Sequence, residues 1–199
     1  MAIIVDKEEK RRNIALASKA LLLEHGIGNI TISQIAKEAG VGKGTIYEYF
    51  SNKEDIVFEV ITIFIDEYFM RLEGFIDTSV NTKMKIIHFL YTLYDDALSN
   101  EKIRIYQEFL AISLTQETDE MIAFNMKFRQ TFLEILEKIL NEGIEKNEIP
   151  AKAINLSSPI LIFSLGLVVD IKTSGLDPKE EIDGFVQTLF DLIEIKEHV

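Results

Sequence analysis

Apolar residues recur at intervals of three and four positions along nearly the whole chain, which is the spacing of an amphipathic α-helix. Outside the segment 31–53, the helices that this spacing predicts span 7–25, 53–75, 81–98, 101–114, 118–146, 151–174 and 178–196. The three prolines fall near helix starts or between helices, where a missing N–H is tolerated. No stretch alternates apolar and polar residues as a half-buried strand does. The pattern therefore predicts an all-α protein of about nine helices.

Residues 31–53, TISQIAKEAGVGKGTIYEYFSNK, predict two short helices that are joined by a tight glycine turn. Thr31 and Gln34 form a capping box, in which the two side chains satisfy backbone N–H groups at the helix start. Gly40 ends the first helix, because glycine adopts a left-handed conformation at little cost. In the second helix, Ile46 faces inward.

The second helix leaves small and polar residues on or near its outer face, namely Gly44, Thr45, Tyr47 and Glu48, with Lys43 at its N-terminus. Phosphates favour a helix N-terminus that offers a lysine and hydroxyl donors. This outline is typical of a helix-turn-helix, which places its second helix in the major groove of DNA. A helical hairpin in an ordinary core also contains a glycine turn, so the spacing alone leaves that alternative open.

The combined pattern resembles the N-terminal segment of TetR-family transcriptional regulators, from about Asn13 to Ile56. The matching residues are Ile14, Ala17, Leu22, Gly26, Thr31, Ile35, Ala36, Ala39, Gly40, Val41, Lys43, Gly44, Thr45, Ile46, Tyr47, Tyr49, Phe50, Asn52, Lys53 and Glu54. The resemblance implies a three-helix DNA-binding head with a helix-turn-helix at residues 1–52. It also implies a larger helical domain at 53–199 that binds an effector and dimerises.

The resemblance further implies which residues contact double-stranded operator DNA: Thr31, Lys43, Gly44, Thr45, Tyr47, Tyr49 and Lys53. Many relatives carry serine where this chain has Gly42, so one hydroxyl contact to a phosphate is absent. Glu48 either accepts a hydrogen bond from a cytosine amino group or leans away from the DNA backbone, and we favour the second interpretation. The basic residues within 7–12 either contact DNA or form a solvated helix start.

The last two predicted helices carry apolar stripes, and the first of the two is apolar nearly all round. Such a helix lies either deep in a core or at an obligate interface. In TetR-like proteins the corresponding helices form a four-helix bundle with a second copy of the chain. The resemblance thus implies a homodimer that reads an inverted repeat, with an interface made by Phe163, Leu167, Ile171, Ile182, Phe185, Val186 and Leu189.

Aromatic residues are frequent in the middle helices, where the resemblance implies a pocket for a small effector. The candidates are Phe89, Tyr94, Tyr106, Phe109, Phe124, Phe128 and Phe163. Because ligand pockets are lined mainly by apolar side chains, we expect the unknown effector to be largely apolar. An aromatic stripe at helical spacing also fits an ordinary core, and that alternative stays open.

The net charge of −12 is unusual for a DNA-binding protein, but the acidic excess lies outside the predicted head. Residues 1–53 hold eight Lys and Arg against six Asp and Glu, whereas 54–199 hold thirteen against twenty-seven. The head is therefore mildly basic, and its non-specific affinity for DNA should be modest and salt-sensitive.

The residues that an enzyme, a metal site or a cofactor site requires are largely missing from the sequence. The chain has no cysteine, three histidines and no phosphate-cradling glycine motif, so we expect no catalysis, metal or cofactor.

The N-terminus lacks the apolar run of a signal peptide, and Pro159–Val169 is too short to span a bilayer, which predicts a cytoplasmic protein without a membrane partner.

These observations predict a DNA-binding transcriptional regulator, with repression and release by an effector as the commoner behaviour of the family. The alternative is a helical ligand-binding or adaptor protein whose DNA-binding head has degenerated. Salt-dependent binding to promoter DNA separates the two.

Overall fold

A computed structural model of the chain describes residues 7–95, 99–116 and 118–195. Within these residues every regular element is helical, so the predicted all-α fold is confirmed. The nine α-helices found there are α1 (Lys7–His25), α2 (Ile32–Glu38), α3 (Lys43–Tyr49), α4 (Lys53–Thr78), α5 (Thr82–Tyr91), α6 (Ser99–Thr115), α7 (Asp119–Glu145), α8 (Ser157–Thr173) and α9 (Pro178–Ile193). A 3₁₀-helix at Ala151–Leu156 precedes α8.

Polar N-cap residues set the starts of four helices. Thr31 and Gln34 form the predicted capping box at α2. Asn81, Thr118 and Asp177 each accept a hydrogen bond from a backbone N–H in the first turn of α5, α7 and α9. These caps satisfy donors that the helix itself leaves unpaired, and of the four only the cap at Thr31 was predicted from the sequence.

The largest differences from the predicted helix bounds occur in two helices, where tighter turns interrupt the α-helix. The predicted helix 81–98 ends at Tyr91, where the Tyr94 N–H donates to the Tyr91 carbonyl at 2.8 Å and closes a three-residue turn. Residues 96–98 of that prediction lie outside the described residues. The predicted helix 151–174 begins as the 3₁₀-helix, in which the Ala153 N–H donates to the Pro150 carbonyl at 2.8 Å.

The chain packs as two compact units that interleave in sequence. The first unit lies within Met1–Glu67 and Asn100–Gln116, and the second within Tyr68–Ser99 and Glu117–Val199. Most of α6 therefore belongs with α1 to α3 and the first half of α4. The predicted domains, 1–52 for DNA binding and 53–199 for effector binding and dimerisation, are defined by their functions. The packing does not test those functions, so this division stays a prediction.

The first unit buries one apolar face of each of its helices. Its buried residues include Ile14, Leu22, Ile35, Ile46, Phe50, Ile56, Val60 and Phe109. Phe109 of α6 packs edge-on against Phe58 of α4, with ring centroids 5.8 Å apart. Because α2 and α3 have seven residues each, they are too short to be stable alone and depend on this core.

In the second unit, α5, α7, α8 and α9 enclose a larger core with residues from α4. The Tyr68 hydroxyl donates to the Phe89 carbonyl at 2.6 Å, and both rings pack edge-on against Phe132. Burial raises the pKa of Tyr68 well above its usual value, so the phenol stays neutral. At the edge of this core, Lys85 donates to Glu142 at 2.5 Å, and that hydrogen bond lowers the pKa of Glu142.

The apolar helical segment Ala151–Thr173 is longer than Pro159–Val169, which is the stretch that the sequence analysis judged too short to span a bilayer. This run has 23 residues and is long and apolar enough to cross a membrane by length and composition. The same test is passed by core helices of soluble proteins, so it is weak evidence for a membrane span. Within this segment, only 28% of the most apolar stretch of 18 residues is buried in one copy of the chain. Much of its apolar surface is therefore exposed in a single copy.

We expect Gly143→Ala to lower the free energy of unfolding by about 1–3 kcal/mol, measured by urea denaturation. An added Cβ at Gly143 in α7 would collide with the Thr82 hydroxyl of α5. Thr82 cannot easily move, because its N–H and its hydroxyl both donate to Glu148 at 2.6 Å.

Gly74→Ala is the matched control, because Gly74 lies on the exposed side of α4 and its added Cβ meets no described atom within 4 Å. This change should stabilise the protein by about 0.5–1 kcal/mol, since alanine favours the helix. Equal effects of the two substitutions would contradict the close contact of α5 and α7.

Candidate DNA-binding surface

The turn between α2 and α3 is built from backbone contacts that glycine permits. Gly40 has a φ of 63°, and the following Val41 N–H donates to the Ala36 carbonyl at 2.9 Å. Gly42 is the N-cap of α3 and offers no side-chain hydrogen bond to the helix. The geometry agrees with the helix-turn-helix that the sequence predicts.

The outer face of α3 is open to solvent within its unit. Ile46 is fully buried and fixes the helix on the core, whereas the Tyr47 side chain is 60% exposed. Lys43, Gly44 and Glu48 are also exposed, and the predicted contact residues Thr45 and Tyr49 are half-buried on the flanks of α3. Thr31 is likewise exposed, at the start of α2. The predicted residues of this surface are thus accessible to a partner.

Lys53 has a structural partner that the sequence did not suggest. Its ammonium group donates to the Ile27 carbonyl at 3.0 Å and so joins the start of α4 to the turn that follows α1. The side chain is half-buried. Its predicted phosphate contact stays a prediction, and DNA would have to share or replace this hydrogen bond.

Arg11 of α1 holds the C-terminal end of α3. Its guanidinium donates to the Tyr49 carbonyl at 2.6 Å, to Asp55 at 2.5 Å and to Glu59 at 3.0 Å, and lies 4.3 Å above the Phe50 ring centre. Burial alone would lower the pKa of Arg11, but the hydrogen bonds with both carboxylates raise it overall. A cation placed at the end of α3 also suits the helix dipole.

A second ion pair, on α6, holds the turn after α1. Arg104 donates to the Leu23 carbonyl at 2.5 Å and to Glu108 at 2.8 Å, and Glu108 accepts from the Ile27 N–H at 2.6 Å. Gly26 lies between these contacts with a φ of 78°, and a Cβ there would be 2.7 Å from the Glu108 carboxylate. We name Arg104 and Glu108 the α6 clamp. The sequence did not predict this clamp, because its partners lie 81 positions earlier in the chain. Without them, charged residues on a helix are interpreted as a solvent-exposed face.

Glu67 joins three helices of the same unit. Its carboxylate pairs with Lys19 of α1 and with Lys102 of α6, the latter at 3.1 Å. Burial alone would raise the pKa of Glu67, but the hydrogen bonds from both lysines lower it overall. The carboxylate is therefore charged near neutral pH, and it ties α4 to α1 and α6.

The aromatic residues predicted to bind an effector occupy several separate places. Tyr106 and Phe109 belong to the first unit, where their rings stack with centroids 6.3 Å apart. In the second unit Phe89 is buried in the core, Phe124 packs on Phe128 within α7, and Phe163 stacks on Phe185. Tyr94 has a buried hydroxyl without a hydrogen-bond partner among the described residues.

The residues predicted to form a dimer interface divide into buried and accessible sets. Leu167, Ile182 and Val186 are buried within one copy of the chain and fill its core. Phe163, Ile171, Phe185 and Leu189 are half-buried on α8 and α9. Sequence periodicity could not separate the two sets, because α8 is apolar on nearly every side.

Comparisons with known proteins agree with this geometry. Residues 14–60 match the family model described as bacterial regulatory proteins, tetR family. The chain is 30% identical over 143 residues to the fatty acid metabolism regulator protein of Bacillus subtilis (strain 168), covering 72% of each chain. It is 25% identical over 146 residues to the HTH-type transcriptional repressor KstR2 of Rhodococcus jostii (strain RHA1), covering 72% of this chain and 71% of that protein.

A solved structure shows the same fold at low sequence identity. The TetR-family transcriptional regulator from Cytophaga hutchinsonii superposes with a TM-score of 0.78, at 14% identity, over 98% of this chain and 99% of that one.

We expect Arg11→Ala to destabilise the protein by about 1–3 kcal/mol, because it leaves Asp55 and Glu59 without their cation. Hydrogen exchange of the α3 amides should also become faster, since the end of α3 loses its anchor. Arg12→Ala is the control. Arg12 forms an exposed pair with Asp66 at 3.0 Å, and its loss should cost at most about 0.5 kcal/mol. The same exchange rates in both variants would show that Arg11 does not hold α3.

Proposed function

This chain belongs to the TetR family of bacterial transcriptional regulators, and we propose that it represses transcription as a homodimer on an inverted-repeat operator until a small effector releases it. Family membership makes it a DNA-binding regulator and not an enzyme. The repressor role is supported by the similar protein of Rhodococcus jostii, which is named a transcriptional repressor. We place the protein in the cytoplasm, where its operator lies.

The exposed outer face of α3 is the observation that carries the proposal. Tyr47 is a large side chain at 60% exposure on a helix that is anchored by one buried residue, Ile46. In a major groove, the Tyr47 ring can contact bases or sugars and its hydroxyl can bind a phosphate. Lys43, Thr45 and Tyr49 surround it and complete the proposed contact surface.

A second copy of the chain is proposed to cover the accessible side of α8 and α9. Ile162 is 58% exposed, Val169 48% and Leu192 79%. Phe163 and Phe185 stack beside them, with ring centroids 4.0 Å apart. A groove of about 450 Å³ lies here, lined by Phe163, Gly166, Leu167, Val169, Asp170, Thr173 and Glu181. A C2 dimer through this face would bury the apolar run Ala151–Thr173 and would pair two recognition helices.

The effector is proposed to be a small, largely apolar molecule that binds among the middle helices. The name of the similar Bacillus subtilis protein refers to fatty acid metabolism, which agrees with an apolar effector. Five of the predicted contacts are half-buried, namely Tyr94, Tyr106, Phe124, Phe128 and Phe163, and we propose Tyr94, Phe124 and Phe128 of the second unit as the ones that the effector reaches. A neutral phenol can donate to a polar group of the ligand, and burial raises the pKa of Tyr94 well above its usual value.

Release is proposed to act through α4, which contributes residues to both units. A shift of α4 would move Lys53 and the acidic partners of Arg11, and so would change the spacing of the two recognition helices. A hundredfold loss of DNA affinity requires about 2.7 kcal/mol of coupling between the two sites. The effector must therefore bind the released state about a hundredfold more tightly.

Selection of bound sites from random duplex DNA should return an inverted repeat for the wild-type protein. We expect Tyr47→Ala to weaken binding to that operator by at least about tenfold, because a base or sugar contact is lost in both half-sites. The thermal unfolding of the variant should match the wild type, since the side chain is mostly exposed. A folded variant that binds as tightly as the wild type would show that Tyr47 makes no contact with DNA.

Ile162→Glu should convert the dimer to monomers in sedimentation experiments, because it places two carboxylates in the proposed interface. Leu114→Glu is the control: Leu114 is 85% exposed on α6, outside the proposed interface, and the dimer should persist. Monomers in both cases, or dimers in both, would contradict this assignment of the interface.

A further inference from the structure

The geometry of α3 shows which side chain lies at the centre of its outward surface. Successive residues of an α-helix are turned by about 100°, so the buried Ile46 fixes the orientation of the others. Gly44 and Glu48 each lie about 160° away from Ile46, whereas Thr45 and Tyr47 lie about 100° away on opposite flanks. Gly44 and Glu48 therefore form the line that faces directly away from the core.

Glu48 is the one side chain on that line within α3. Gly44 contributes only backbone, and a Cβ added there would meet no atom of the described residues within 4 Å. The helix backbone can therefore approach a partner closely at Gly44, one turn before Glu48. Because Gly44 has no side chain, it does not cover the carboxylate of Glu48 on the outward surface of α3.

Among the residues that the structure describes, the Glu48 carboxylate has no ion-pair partner. By contrast, Arg11, Arg12 and Lys19 of the same unit all have carboxylate partners. An unpaired carboxylate near DNA phosphates is repelled and weakens binding, unless it reaches a hydrogen-bond donor. The donors that DNA offers lie on the base edges in the grooves.

The length of α3 would allow the whole helix, including Glu48, to lie within a major groove. Seven residues at 1.5 Å each make a helix of about 10 Å, and the major groove of B-DNA is about 12 Å wide. A helix of this length can lie within the groove along its whole length. Its sixth residue, Glu48, would then lie between the two phosphate backbones, within reach of base edges.

We propose that Glu48 determines operator specificity by accepting a hydrogen bond from the N4 amino group of a cytosine in each half-site. A carboxylate only accepts, so the major-groove acceptors of guanine and thymine repel it. In adenine, the N6 donor stands beside the N7 acceptor, which repels the second carboxylate oxygen, and cytosine has no such neighbour. This inference rests on the proposed operator binding. It replaces the interpretation favoured from the sequence, in which Glu48 leans away from the DNA backbone, with one in which Glu48 contacts a base.

The test compares the wild type with Glu48→Gln and with the control Glu38→Gln. Glu38 is an exposed carboxylate at the end of α2, so its replacement removes the same charge from the same unit away from α3. Sites are selected from random duplexes with each full-length protein. Binding is then measured on the wild-type operator and on an operator in which the assigned C·G pair is replaced by T·A in both half-sites.

We expect the wild type and Glu38→Gln to select the same C·G pair and to lose about tenfold in affinity per half-site when it is replaced. Glu48→Gln should bind the two operators within about twofold of each other, and its selected sites should lose the preference for C·G at that position.

Two other results would overturn the inference in different ways. If Glu48→Gln selects the wild-type sequence and binds both operators more tightly by the same factor, Glu48 leans away and only repels the backbone. The inverted repeat would then still support the proposed function. If the wild type selects no sequence at all, the proposed function and this inference are both wrong.

Discussion

The placement of α3 depends on one half-buried cation, Arg11. Helix α3 has two turns, no side-chain cap at its start and a single fully buried residue, so its own hydrogen bonds cannot fix its position. Arg11 supplies what is missing, because one guanidinium binds the last carbonyl of α3 and two carboxylates of α4 while it packs on Phe50. The fork of five donors suits this task, and a lysine could not make all of these contacts.

Local signals in the sequence predicted the helices of the fold, although not every helix end. The three- and four-residue spacing predicted the helices, and the capping box and Gly40 placed the turn of the helix-turn-helix. The exposed face of α3 followed from the same periodicity. Such signals succeed because they involve residues within one or two helical turns of each other.

Long-range polar contacts were not visible in the sequence. Arg11 and its partners are about 40 residues apart, and Arg104 and Glu108 contact a turn 81 positions away. From the sequence alone, charged residues on a predicted helix are assigned to the solvent-exposed face. Only the folded structure shows which of them have partners from distant parts of the chain. The assignment of most of α6 to the first unit was missed for the same reason. Burial of Leu167, Ile182 and Val186 was hidden because apolar periodicity does not distinguish a core from an interface.

The α6 clamp has a practical consequence for anyone who wishes to exchange parts between regulators of this kind. A chimera that is cut after residue 52 would carry α1 to α3 of this chain but would lack Arg104 and Glu108, as well as the α4 partners of Arg11. The foreign α6 would then have to supply a carboxylate to the Ile27 N–H and a donor to the Leu23 carbonyl. A biosensor assembled from such pieces should therefore take residues 1–67 together with 100–116, as one discontinuous cassette.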